Sequence, residues 1–190
     1  VVRIEARVRE GLVDTRFTQE VVGDRLQVGV RCLAVLANQW FVPGLRIVVP
    51  RALEVKVRAR GDSVTLRGIS GRVDAESSDG SVEAEALAGD TRLHSSNGSV
   101  RGTRLRTESI VADSDNGSVR LEFAVPPVSV ITSSDNGSVD VAVPRGDDAY
   151  AVSVDSSNGS TDNLVQSDPE SDRRIVASSS NGSVTVRYLE

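Results

Sequence analysis

The chain has 190 residues, 38% of them hydrophobic but only 3% aromatic, and a formal charge of −5. A core short of Phe, Tyr and Trp must be filled by Val, Ala, Leu and Ile, which suits a thin layer between stacked strands better than a thick spherical interior. The acidic balance argues against nucleic-acid binding, which needs a basic face, and no apolar run approaches the roughly 18 residues of a membrane-crossing helix.

Methionine is absent and the chain opens on Val1-Val2, so a piece of a longer protein is expected, with any leader or anchor outside it. The basic residues are almost all Arg, and Lys56 is the single lysine.

Residues 1–66 alternate apolar and charged positions, as in Val2-Arg3-Ile4-Glu5-Ala6-Arg7-Val8 and Leu53-Glu54-Val55-Lys56-Val57-Arg58. That is the period of strands with one buried face. This region holds Phe17, Trp40 and Phe41, three of the six aromatics. It is expected to be a β-strand cap on residues 67–190, with Gln39–Pro43 packed rather than offered as a surface patch. Cys32, beside Leu33 and Val35, reads as a small buried apolar residue. As the only cysteine it excludes an internal disulfide.

Residues 67–190 carry six gapless copies of one hexamer. They begin at Ser77, Ser95, Ser114, Ser134, Ser156 and Ser179, and read SSDGSV, SSNGSV, SDNGSV, SDNGSV, SSNGST and SSNGSV. The central pairs are Asp79-Gly80, Asn97-Gly98, Asn116-Gly117, Asn136-Gly137, Asn158-Gly159 and Asn181-Gly182, at spacings of 18, 19, 20, 22 and 23 residues. Seven and five residues before each glycine come Val73 and Ala75, Thr91 and Leu93, Ile110 and Ala112, Val130 and Thr132, Val152 and Val154, Ile175 and Ala177. Two residues after it stand Val82, Val100, Val119, Val139, Thr161 and Val184. Each period therefore predicts two short strands, one Asn/Asp-Gly turn whose glycine supplies positive φ, and a second, variable connection. The fold expected is an all-β, single-stranded solenoid or β-roll of about six rungs, with residues 1–66 as its cap. A meander closed into a β-sandwich is the alternative, and fixed columns of Ser and Asn favour the solenoid.

The strand, [ST]-x-[ND]-G-x-[VI], strand, Gly-Asp pattern resembles the bacterial DUF4097 family of adhesin-like or "toastrack" domains. The matching stretches are Gly71-Arg72-Val73, Ser77–Val82, Ala88-Gly89-Asp90, the five later hexamers, and Val48-Val49-Pro50 with Leu53-Glu54-Val55. The resemblance implies a β-repeat fold and a cell-envelope setting on the extracytoplasmic surface, beside a membrane anchor or a stress-response system. It supplies no catalytic residues.

The chemistry-bearing residues are better explained by the repeat. Asp79, Asp115 and Asp135 sit in turns, with Asp113 and Asp155 just before them. A glycosidase would need two such carboxylates flanking a sugar subsite, and aromatic platforms, of which the repeats offer few. Calcium-binding solenoids repeat every nine residues, about half the period here, so calcium is a weaker expectation than no cofactor at all. His94, the only histidine, reads as a solvated outward side chain, and a Ser-His-acid triad is not expected. Asn97, Asn116, Asn136, Asn158 and Asn181 lie in Asn-Gly-Ser glycosylation sequons, but the turn already explains them. Arg145-Gly146-Asp147 spells a cell-attachment tripeptide in a Pro-flanked loop and is a candidate binding loop.

The functional expectation is a non-enzymatic envelope module with a protein or glycan partner, recognised through the variable connections near Gly89–Asp90, Pro126–Pro127, Pro144–Asp148 and Gln166–Arg173. The alternatives are a self-assembling scaffold and a glycan-binding or glycan-active β-helix protein. Contact with a membrane is expected only through a segment outside this chain.

Overall fold

The computed structural model describes residues 2–7, 14–23, 25–33 and 44–189. The chain divides into two compact units, Val1–Val49 and Pro50–Glu190. In the first, β1 (Arg3–Arg7) pairs antiparallel with β4 (Gly44–Val48). There too, β2 (Asp14–Val22) pairs antiparallel with β3 (Arg25–Leu33), and Gly23 takes a φ of +64° in the reversal. Gln39–Pro43 lies outside the described residues, as do the side chains of Phe17 and Cys32.

The second unit is the expected solenoid. Each rung gives one strand to a front sheet and one to a back sheet. The first five rungs are β5 (Val55–Ala59) with β6 (Val64–Arg67), β7 (Val73–Ser77) with β8 (Val82–Glu85), β9 (Thr91–Ser95) with β10 (Val100–Leu105), β11 (Ser109–Ser114) with β12 (Val119–Phe123), and β13 (Ser129–Ser134) with β14 (Val139–Val143). The last two are β15 (Ala151–Ser156) with β16 (Thr161–Asn163), and β17 (Arg174–Ser179) with β18 (Val184–Tyr188). All pairings in both seven-stranded sheets are parallel, which a meander could not give.

The stack has seven rungs, one more than the six hexamers, because Val55–Arg67 builds a first one without the hexamer. That rung belongs to the second compact unit, which begins at Pro50.

In the inner rungs alternate residues point inward, while β16 at the end of the stack is exposed throughout. Val73, Ala75, Leu93, Ile110, Ala112, Val130 and Ile175 from the front meet Val82, Ala84, Val100, Val119, Leu121, Val139, Val141 and Val184 from the back, all buried. The core is thin, so β-branched and small residues fill it, and Phe123 and Tyr150 are its only fully buried aromatics. Two buried oxygens of described residues, Thr132 Oγ1 and Tyr150 OH, have no hydrogen-bond partner.

The rungs are not stacked in chain order. The front sheet runs β5-β7-β9-β11-β13-β17-β15, and the back sheet runs β6-β8-β10-β12-β14-β18-β16. The chain leaves β14, climbs two rungs to lay down β15 and β16 at the end of the stack, then returns to fill the gap with β17 and β18. Since every strand stays parallel, the β15-to-β17 crossover runs backward along the stack and has the opposite hand to the crossovers before it. The C-terminal rung is thereby paired on both sides.

Candidate functional site

The six turns form one edge of the stack, as three parallel columns. In the first, the hydroxyls of Ser77, Ser95, Ser114, Ser134, Ser179 and Ser156 each donate to a backbone carbonyl of the neighbouring turn at 2.8–2.9 Å. The first three also accept the N–H of their own turn glycine, Gly80, Gly98 and Gly117, at 2.8–3.0 Å. The hydroxyls of this serine column are thus satisfied within the repeat.

The second column is an amide ladder with a direction. Asn158 Nδ2 donates to Asn181 Oδ1, Asn181 to Asn136, Asn136 to Asn116, Asn116 to Asn97, and Asn97 to Asp79 Oδ1, at 2.9–3.1 Å. Each Nδ2 spends its other hydrogen on a backbone carbonyl of the adjacent rung. A carboxylate only accepts, and the single aspartate at this hexamer position stands where the ladder needs only an acceptor.

The third column is glycine, and its cause differs from the one expected. None of the six turn glycines has positive φ. What demands glycine is the close approach of adjacent turns. A Cβ on Gly117 would stand 2.6 Å from the carbonyl carbon of Gly98, and one on Gly182 would stand 2.6 Å from that of Gly137. These turns are corners between two sheets and not hairpin reversals.

At the other edge, Arg173 draws three of the four variable connections together. Its Nε donates to Asp148 Oδ1 at 2.9 Å, and its Nη1 donates to the carbonyls of Pro126 and Pro127 at 3.1 and 3.0 Å. Ser171 Oγ adds a bond to Ala149 O, and Tyr150 forms a parallel bridge with Ser167. Buried beneath, the Tyr150 hydroxyl has its pKa pushed up to about 12, first by burial and then by the Asp148 carboxylate. Arg145, Gly146 and Asp147 are all exposed on this corner, and the Arg145 guanidinium lies 5.4 Å from the Tyr188 ring centroid. Val128, 40% exposed, follows Pro127 directly, and Ile131, 48% exposed, lies three residues on in β13. Ile131 continues along the outer face of the front sheet as a row with Val111 and Val176.

His94 is not simply solvated. It lies in β9 between Glu76 of β7 and Asp113 of β11. Its Nδ1 contacts Asp113 Oδ2, its Nε2 stands 3.3 Å from Ser96 Oγ, and its side chain is 24% exposed. The spacing could have shown the first contact, since residues 94 and 113 are one period apart and a solenoid stacks residues one period apart. Among the described residues, no group of three or more His, Cys, Asp or Glu side chains is placed to hold a metal ion.

No family model, curated protein or solved structure matches the chain.

Proposed function

We propose that this chain is a non-enzymatic, adhesin-like binding module of a bacterial cell envelope, recognising a protein or glycan through the corner organised by Arg173. The observation that carries this reading is the gathering of three loops of irregular length by one guanidinium. A loop ordered in advance loses little entropy on binding. The exposed Arg145, Asp147 and Val128 in these loops, with Ile131 on the strand that follows, mix charge with apolar area, as contact surfaces do. The uniform turn edge spends its polar groups on its own columns and has less to offer a partner. The envelope setting rests on the DUF4097-like motifs, with anchorage through a segment outside this chain.

The test is a titration of labelled chain onto isolated bacterial envelopes and onto a glycan array. Saturable binding is expected, weakened at least tenfold by Arg145→Ala with Asp147→Ala or by Ile131→Asp. A back-sheet change such as Thr65→Ala should leave it unaltered. Absence of saturable binding, or equal loss in all three variants, would refute the assignment.

A further inference from the structure

Asp113, His94 and Ser96 stand in the order carboxylate, imidazole, hydroxyl. His94 Nδ1 contacts Asp113 Oδ2 and Nε2 stands 3.3 Å from Ser96 Oγ. In the tautomer that carries its proton on Nδ1, the Asp113 carboxylate accepts that proton's bond and the Nε2 lone pair faces Ser96 Oγ. This is the arrangement by which a neutral imidazole removes a proton from a serine. The parts are held by the sheet. His94 and Asp113 are register partners on adjacent strands, and the backbone N–H of Ser96 is fixed to Ser77 O at 3.0 Å. The other carboxylate beside His94, Glu76, is engaged by Arg58 Nε at 3.1 Å. Asp113 has no such competing cation among its described contacts. The site is on the outer face of the front sheet, where Ser96 is half-buried and open to small reagents.

One element of an efficient acyl-transfer site is committed elsewhere. The backbone N–H groups of Ser96 and Asn97 donate to Ser77 O and Ser78 O, so neither can turn to a developing oxyanion. Such a site would activate the nucleophile without an oxyanion hole from the Ser96 and Asn97 amides. It favours donors with good leaving groups, and it makes release of the acyl group slow.

We propose that Ser96 is a nucleophilic serine that accepts an acyl group from activated esters or thioesters of small acids, with His94 as general base and Asp113 as the residue that positions it. Ser96 Oγ attacks the carbonyl carbon as its proton passes to His94 Nε2. The new Oγ–C bond forms, the bond to the leaving group breaks, and the leaving oxygen or sulfur departs with the electron pair. The proton on His94 then passes to the leaving group or to water. General-base assistance of this kind contributes on the order of 10²–10⁴ in rate.

The probe is p-nitrophenyl acetate, followed by p-nitrophenolate release and peptide mass spectrometry. The expected result is a burst of one equivalent per chain that stops at the acyl-serine, a stoichiometric self-acylation and not a turnover reaction, with an acetyl group on the Ser96 peptide. Ser96→Ala should abolish the burst, and His94→Gln should slow it about a hundredfold. Asp113→Asn should slow it more than Asp113→Glu, a difference that a merely structural role would not produce. Acetylation that spreads to Lys56 and other serines at equal rates, a His94→Gln variant that reacts as fast as the parent, or no burst at all would overturn the proposal. Circular dichroism of each variant shows whether the stack is intact, so a loss of reactivity through unfolding is recognised.

Discussion

Replacing Asn116 by Asp changes one atom of the amide ladder, and the ladder's direction makes it costly. Asn116 Nδ2 donates to Asn97 Oδ1 at 3.0 Å and to Ser96 O at 3.2 Å, and its Oδ1 accepts from Asn136 at 3.0 Å. The carboxylate keeps the acceptor role, loses both donors, and sets its charge against two oxygens. Two lost hydrogen bonds are worth about 1 kcal/mol each. The repulsion adds a smaller amount, because the side chain is exposed and water screens it. A loss of about 2–3 kcal/mol corresponds to a fall in Tm of roughly 5–10 °C for a unit of this size. Asp79→Asn is the control, since Asp79 receives a single bond from Asn97 and an amide oxygen accepts it equally well. That variant should stay within about 0.5 kcal/mol of the parent. Thermal and urea unfolding followed by circular dichroism measure both. The Asn116→Asp deficit should shrink below about pH 4, where a protonated carboxyl regains one donor. Equal shifts for the two variants, or no shift for Asn116→Asp, would refute a directional ladder.

Thr132→Val removes a buried, unpartnered hydroxyl flanked in register by Ala112 and Ala177, and should raise stability by about 1 kcal/mol, read as a Tm rise of about 3 °C. Tyr150 has a folded pKa of about 12 against 10.0 for the free side chain, so between these values the unfolded chain loses the proton first. Stability is therefore full below pH 10 and falls as pH rises toward 12, and Tyr150→Phe should flatten that decline in urea titrations across the window. Arg173→Ala strips a donor from Pro126 O and Pro127 O and a cation from Asp148, at about 2 kcal/mol. Hydrogen exchange should then accelerate at residues 144–150 and 164–173 before anywhere else in the stack.

The period and the inward-facing residues were legible because a solenoid places identical residues on top of one another, so what the repeat keeps is what the column needs. The first rung was not, since Arg60-Gly61-Asp62-Ser63 replaces the hexamer there and only the alternation of Val55, Val57, Val64 and Leu66 betrays it. The glycine column was found, but its cause was not. Positive φ is a property of one residue, whereas the close approach of Gly98 and Gly117 belongs to two rungs. Rung order was hidden for a related reason. The hexamers at Ser156 and Ser179 are so alike that either rung fits against β13 and β14, and only the long spacings of 22 and 23 residues mark where the chain climbs and returns. The Arg173 corner joins residues 47 apart through side-chain geometry, which no periodicity encodes.

Seven parallel rungs are stacked with the last two laid down out of order, and disulfide mapping in a Cys32→Ser background tests this directly. Neighbouring rungs sit about 4.8 Å apart, within disulfide reach, while rungs two apart sit near 10 Å, beyond it. Cysteines at Ser138 and Ser183 should therefore oxidise to an intramolecular disulfide, as should cysteines at Ser160 and Ser183, and cysteines at Ser138 and Ser160 should not. A ready bridge between positions 138 and 160, with none between 138 and 183, would mean that the rungs follow chain order and would contradict the account.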